Sequence, residues 1–432
     1  MGLIDYARLC RLILSFMPFL FRRLGQRISA IQHKRTYVPS DSPRNVVIIG
    51  GSFGGAALCK SLCETLPSGW RVTLVERNSH MHYTFAFPRY SVVPGYERNA
   101  FIPYDTTSIA KSPLAPEGVY RQVRGAVADV TSEAVVLVSG ETLAYDYLVV
   151  ATGASQPFPA RLRSTDKESG CSELQSMQQG IREAGRIAVV GAGPVGVELA
   201  TDIKSYYPEK EVTLVHSRGQ LLNNWGKRLH DHVLPIVEGM GIKVILKQRP
   251  EVREAENGKL TSLEFPDGRI EEFDLVLRCT GQTPNSQLLQ NLSASSISPD
   301  TKRILVKPTL QVTDPAFPQV FALGDVAETG GAKMARAALI QADVVSSNIN
   351  SRVRGTEPNA IYHPQLMVEG ALKLTLGKDT SVVYTNDEQG TDILLSGGGV
   401  PEDFDIARGW GVLGAKFQKD DSQQPQPKAA VA

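Results

Sequence analysis

Cysteine is scarce in this chain and poorly placed for chemistry. The 432 residues hold five, Cys10, Cys59, Cys63, Cys171 and Cys279, and no CxxC. That pattern supports neither a zinc ribbon nor a thioredoxin-type redox pair, and low cysteine use fits a reducing compartment. Cys59 and Cys63 fall one helical turn apart and read as small buried apolar residues. Net charge is also scarce: 46 basic against 45 acidic residues leave +1, so the molecule as a whole has no strong pull toward nucleic acid and no specific nucleic-acid partner is expected. No zinc motif and no Ser/His/Asp set competes for the chemistry. His80 and His82, in NSHMHYTFAFPRY, lack the nearby ligands a metal would need.

What is present reads as a soluble globular protein of two or three domains, with room for a large core. The N-terminus differs from the rest. Arg8, Arg11, Arg22, Arg23, Arg27, Lys34 and Arg35 face one acid, Asp5, and LCRLILSFMPFLFRRLG lies among them. On a helical wheel Arg8, Arg11, Ser15 and Arg22 share one face, opposite Leu9, Ile13, Phe16, Leu20 and Leu24, with Pro18 placed to kink or break the helix. The charge-free stretch Leu12 to Phe21 is about half the ~20 residues of a spanning helix. Residues 4–28 therefore read as an interfacial amphipathic helix making peripheral membrane contact, with a mitochondrial targeting segment or a weak signal-anchor as alternatives. The myristoylation pattern fails at Tyr6. The polar, Pro-rich tail 418–432 reads as disordered.

The organising feature is an internal repeat. Val-Thr-Leu-Val occurs at 72–75, followed by Glu76, and at 212–215, followed by His216. The first copy closes a unit that begins NVVIIGGSFGGAALCKSL; the second closes one that begins RIAVVGAGPVGVELATDI. Each reads as strand, Gly-rich turn, helix, strand, the size of a βαβ unit. Downstream of each comes an apolar strand ending in Thr-Gly, at Thr152–Gly153 and at Thr280–Gly281. In such a turn the first glycine permits the bend, the second admits a pyrophosphate and the third lets helix and strand pack closely. Gly191, Gly193 and Gly196 fit GxGxxG fully. In the first unit Gly50 and Gly55 fit, Ser52 takes the middle place, and Gly51 and Gly54 add freedom. The expectation is two dinucleotide sites, against the alternative of two such units with one site empty.

Two nested Rossmann units followed by VFALGDVAE resemble the two-dinucleotide-binding flavoproteins. With SYYPEKEVTLVHS, VVGAGPVGVELA and AKMARAALIQADVVSSNI, the chain is similar over roughly 44–418 to the apoptosis-inducing-factor-like, mitochondrion-associated (ferroptosis-suppressor-protein-like) family. The resemblance implies an α/β fold of two glutathione-reductase-like dinucleotide domains with a smaller C-terminal α+β domain. Its expected parts are a basic segment 1–43, an FAD domain 44–157 with 285–352, an NAD(P)H domain 158–284, a C-terminal domain 353–417, and the tail. It also implies hydride transfer from NAD(P)H to FAD and electron delivery to a quinone or other small acceptor, whereas the expected location, membrane-associated in the mitochondrion or the cytoplasm, rests on the N-terminal segment, which lies outside the resemblance. Disulfide reductases of this superfamily carry a CxxxxC early in the first unit. Here no cysteine lies between Cys63 and Cys171, and a disulfide between neighbouring helical turns is geometrically poor. Electrons are therefore expected to leave directly for a diffusible acceptor.

On this resemblance Glu76 accepts from the FAD ribose, and Gly324 and Asp325 form the late motif with Asp325 on the ribitol; Lys333 is read either as a cation near the flavin pyrimidine or as a solvated loop lysine. Glu198 is expected near nicotinamide and flavin, with simple helix-dipole complementarity as the alternative. His80 and His82 become structural or flavin-lining, and Trp410, Lys416 and Phe417 are candidates to line an apolar quinone path. His216 replaces the acid that would repel a 2′-phosphate, and with Arg218 it predicts tolerance of, or preference for, NADPH. Two other readings stay open: a flavin monooxygenase, although no extra signature lies between the units, and a non-enzymatic redox-sensing or pro-apoptotic interaction protein.

Overall fold

The computed structural model describes residues 28, 30–104, 110–254, 261–387 and 389–419. The N-terminal amphipathic segment, apart from Ile28, and the tail beyond residue 419 lie outside the described residues. Near the start of the described chain, Ala30 is buried and Tyr37 donates its hydroxyl to Trp70 O at 2.8 Å, tying this stretch to the first sheet. Among the described residues, no helix is long and apolar enough to cross a membrane.

The first unit runs β1 (Arg44–Ile49), α1 (Phe53–Cys63), β2 (Trp70–Glu76), β3 (Tyr120–Arg124) and β4 (Tyr147–Val150). These strands pair in parallel in the order β4-β1-β2-β3. Val46, Val47 and Ile48 are fully buried, the continuous apolar run of a parallel strand covered on both faces. The second unit repeats the plan with β5 (Arg186–Val190), α2 (Pro194–Tyr206), β6 (Glu211–Val215), β7 (Lys243–Ile245) and β8 (Leu275–Arg278), in the parallel order β8-β5-β6-β7. The repeat extends further. Each unit inserts a three-stranded antiparallel sheet before its last strand, from Val127 to Ala144 in the first and from Glu251 to Phe273 in the second.

The chain then returns to the first unit. β9 (Val320–Ala322) adds in parallel beside β4, and α3 (Ala335–Val353) packs along α1, with Ser61 Oγ and Ser346 Oγ 2.8 Å apart. The α/β architecture of two nested Rossmann-type units is thus present. After it come an antiparallel sheet, β10 (Leu372–Leu376), β11 (Thr380–Asn386) and β12 (Asp392–Gly398), and a short helix α4 (Ile406–Val412). These last elements serve both cores. Leu372, Leu374, Val382 and Tyr384 pack with Leu199 and Ile203 of α2, whereas Ile406 and Trp410 pack with the first unit.

Candidate active site

The two glycine turns match atom for atom. Gly50 N donates to Val75 O at 2.9 Å and Gly191 N to Val215 O at 2.7 Å. Both first glycines are left-handed, φ 101° and 113°. A Cβ would stand 2.5 Å from Ala151 O at Gly50 and 2.6 Å from Cys279 O at Gly191, so the residue directly after β4 or β8 presses on the turn. A Cβ on Gly55 or Gly196 would lie 1.8 Å from the carbonyl oxygen of its own first glycine. A Cβ on Gly193 would meet nothing within 4 Å, which leaves open space before α2, and in the first unit Ser52 stands in that place. Neither helix has a side-chain cap. The first N–H groups of α1 and α2 are therefore left for an anion.

The residues just after the repeated Val-Thr-Leu-Val brace these turns. Glu76 accepts from Gly51 N at 2.6 Å through one carboxylate oxygen and from Asn78 N at 2.8 Å through the other. His216 Nδ1 accepts from Ala192 N, in the same turn position as Gly51, at 3.2 Å. Nδ1 must then be unprotonated, and Nε2–H donates to Asn223 Oδ1 at 3.0 Å. Burial lowers the His216 pKa, helped by Arg218 and opposed by Asn223, which suits a neutral ring. Both ring nitrogens are thus committed within the protein. Sequence pattern alone gives no sign of this bracing role.

A cleft of about 740 Å³, within the ~300–1,000 Å³ of small-molecule sites, runs from Glu76 past Ser52 to Asp325 and Lys333. Gly50, Gly54, Thr152, Gly153 and Gly324 also line it. Thr152 and Gly153 are held by Asn285, whose Nδ2 donates to Thr152 O at 2.9 Å and whose N donates to Gly153 O at 3.0 Å. Asp325 accepts from Gln282 Nε2 at 3.1 Å, which links the second Thr-Gly turn, at Gly281, to the late motif. Burial raises the Asp325 pKa, while Arg161, Lys333 and Arg303 pull it down. Lys333 donates to Ala327 O at 2.7 Å and has its pKa lowered, chiefly by burial.

Two cleft groups fit an anionic, hydrogen-bonding ligand. Arg161 Nη2 would be 3.1 Å from a Cβ on Gly153, and among the described residues its side chain has no hydrogen-bond or ion-pair partner. Burial lowers its pKa, with Arg77 adding to that and Asp325 and Glu76 opposing it. His82 Nε2 is buried without a partner, on a ring packed edge-on against Phe101. Burial first, then Arg161, Arg77 and His80, lower the His82 pKa to about 4 against Glu173, so the ring is neutral at physiological pH. Of the two roles expected of His82, structural or flavin-lining, its place on the cleft wall suits the second. Arg161 sits in no motif and sequence reasoning misses it, as it does Asn285 and Gln282. Arg161→Ala should weaken retention of a pyrophosphate cofactor by about tenfold or more, the size of one charge-assisted contact. Equilibrium dialysis of the bound chromophore measures this, and unchanged retention would remove Arg161 from the site.

Other expected residues lie elsewhere. Trp410 is 2% exposed and donates to Asn99 O at 2.9 Å, with Phe417 packed edge-on against its ring. Trp410 is a core residue, and neither it nor Lys416 nor Phe417 lines the cleft. Phe53 and Phe85, 5.1 Å apart and backed by Tyr83, line the cleft together with Tyr104, and Phe85 is 43% exposed. Glu198 is half-buried and does not line the cleft. Its Oε1 accepts from Thr375 N at 3.1 Å and from Thr375 Oγ1 at 3.2 Å. One turn on, Asp202 accepts from Arg89 Nε at 2.8 Å, and Arg89 Nη2 donates to Gly377 O at 3.0 Å. Among the described residues, no cysteine lines the cleft.

Residues 44–342 match the pyridine nucleotide-disulphide oxidoreductase family. The chain is 32% identical over 366 residues to Fe-regulated protein 8 of Mycosarcoma maydis, covering 80% of this chain and 90% of that one. It is 30% identical over 350 residues to ferroptosis suppressor protein 1 of Mus musculus, covering 78% and 87%. The sulfide:quinone oxidoreductase of Aquifex aeolicus shares the fold, with TM-score 0.67 at 17% identity over 85% of this chain and 90% of that one.

Proposed function

The chain belongs to the pyridine nucleotide-disulphide oxidoreductase family, in its ferroptosis-suppressor-protein-like branch, and from that premise we propose an FAD-dependent NAD(P)H oxidoreductase that delivers electrons to a quinone-type acceptor. The observation that carries the proposal is the duplicated glycine turn. Two uncapped helix N-termini, each faced by a first glycine that tolerates no side chain, make two pyrophosphate cradles in one chain. FAD belongs to the first, where the cleft is built, and NAD(P)H to the second. FAD bound there supplies acceptance of a hydride from the nicotinamide and onward delivery of electrons.

The chain's own residues bind, orient and shield. Ser52, Gly54 and Arg161 would hold the pyrophosphate, and Glu76, which holds the turn, would accept from the ribose through its remaining lone pairs. Asp325, kept in register by Gln282 and by Gly324 N donating to Gln341 Oε1 at 2.7 Å, would hold the ribitol. Lys333 lines the same end and stabilises negative charge developing there. Phe53 and Phe85 offer an apolar surface to the acceptor ring. Residues 4–28 give the enzyme a peripheral hold on the membrane in which such an acceptor dissolves.

The test is anaerobic turnover with a soluble short-chain quinone and with a lipid-soluble quinone in anionic vesicles. The expected result is rapid reduction of both, with deletion of residues 4–28 slowing only the vesicle reaction. Turnover with oxygen and an oxygenated product, but with neither quinone, would point to a monooxygenase instead.

A further inference from the structure

The second unit carries a basic notch with no part in the flavin cleft. Its interpretation rests on that unit holding the nicotinamide nucleotide. After β6 the chain runs His216-Ser217-Arg218-Gly219, and after β7 it runs Leu246-Lys247-Gln248-Arg249. The two loops are zipped together. His216 N donates to Ile245 O at 2.8 Å, Lys247 N to Arg218 O at 3.0 Å, and Gln248 N to His216 O at 3.0 Å. Lys247 is left-handed, φ 58°, a conformation that a lysine adopts only where its surroundings enforce it. Its side chain lies across Gly219, where an added Cβ would come within 3.2 Å of Lys247 Cε. The missing side chain at Gly219 makes room for the lysine beside Arg218.

The electrostatics of the notch are one-sided. Arg218, Lys247 and Arg249 are exposed, and neither 216–224 nor 245–250 contains an acid. Among the described residues, the side chains of Arg218 and Lys247 have no hydrogen-bond or ion-pair partner. The notch sits at the carboxyl end of the second strand of a Rossmann unit, where the adenosine ribose is held and where an acid would select against a 2′-phosphate. In place of that acid stands His216, a neutral ring whose two nitrogens are spent on Ala192 and Asn223. His216 therefore permits a phosphate without ligating it, which shifts the role first expected of it onto the neighbouring loop.

We propose that Arg218 and Lys247, from two loops zipped side by side, form a two-cation clamp for the 2′-phosphate of NADPH, with the Ser217 hydroxyl as a neutral donor between them. The clamp makes the second unit selective for NADPH over NADH. Charge-assisted bonds to phosphate from two side chains account for such a preference without any change in the glycine turn.

Calorimetric titration of the flavin-loaded full chain with 2′,5′-ADP and with 5′-AMP tests this apart from turnover. The wild type should bind 2′,5′-ADP at least about tenfold tighter, a factor worth ~1.4 kcal/mol. Lys247→Gly keeps the left-handed backbone accessible, so it removes the ammonium without adding strain. Lys247→Gly and Arg218→Ala should each weaken 2′,5′-ADP about tenfold more than 5′-AMP, and the NADPH/NADH ratio of kcat/KM should fall in step. Equal affinity for the two nucleotides in the wild type, or an unchanged ratio in Lys247→Gly, overturns the clamp and leaves the second unit a nucleotide site. Binding of neither nucleotide overturns the assignment of that unit itself.

Discussion

Gly191→Ala should give a yellow protein that NADPH no longer bleaches, whereas Gly50→Ala should give a protein purified without flavin. The two substitutions are the same chemical change at equivalent positions, so their opposite outcomes separate the two cradles. At each site the backbone has φ above 100°, a region an alanine enters only with strain. At each site the new Cβ also meets a carbonyl oxygen within about 2.6 Å, on the residue that directly follows β4 or β8. That residue cannot yield without disturbing β4 in one unit or β8 in the other, so the turn moves instead. A displaced turn withdraws the N–H groups from the pyrophosphate. Strain of ~1–3 kcal/mol plus lost anion contacts should lower kcat/KM for NADPH in Gly191→Ala by about 100-fold or more. The check is the flavin spectrum of each variant with stopped-flow reduction. Loss of flavin from Gly191→Ala with retention in Gly50→Ala would reverse the assignment of the units.

The second large effect concerns stability. Arg89 and Asp202 have side chains 1% and 0% exposed, and their pair joins the short helix Phe87–Tyr90 to α2 and to the turn after β10. Arg89→Leu leaves the Asp202 carboxyl buried without a counter-charge and should cost about 3–5 kcal/mol, read as a lower denaturant midpoint. The cluster holds two carboxyls and one arginine, one positive charge for two acids. Burial raises the Glu198 pKa from 4.5 to about 8, with Asp202 adding to it and Thr375 and Arg89 opposing. Burial likewise raises Asp202 from 3.8 to about 6, against Arg89. A raised carboxyl keeps in the folded state a proton that the unfolded chain has released. Stability therefore falls as pH climbs from the unfolded to the folded value. Between pH 6 and 8 the fall belongs mainly to Glu198, with a slope approaching ~1.4 kcal/mol per pH unit. Glu198→Gln, which still accepts from Thr375, should flatten that slope. An equal slope in wild type and variant would mean Glu198 is ionised throughout.

The repeat is legible because it is written locally. Glycine spacing and apolar strands specify a βαβ unit within ~30 residues, and the strand orders agree with it. The cleft is less legible because long-range contacts build it. Arg161 reaches Gly153 from a stretch with no pattern, and Asn285 is brought to Thr152 across 133 residues. Composition cannot tell Trp410 in the core from Phe85 at the cleft, since both are simply aromatic residues in loop-rich sequence. Glu198 is legible only in part. Its position after Gly196 points toward a cofactor, and the partner from β10 that donates to its Oε1 is distant in sequence. His216 is the converse case. The loss of an acid is visible in the sequence, but the bond from Ala192 that keeps the ring neutral is not.

One chain that holds FAD and a nicotinamide nucleotide in adjacent cradles should pass two electrons between them. Anaerobic titration of the purified full chain with NADPH, with flavin absorbance as the readout, measures this without intermediaries. The expected result is a yellow protein bleached completely at about one NADPH per flavin, as two-electron transfer requires, and recoloured by a short-chain quinone. A purified chain that binds no flavin, or one whose flavin stays oxidised in excess NADPH and NADH, would contradict it.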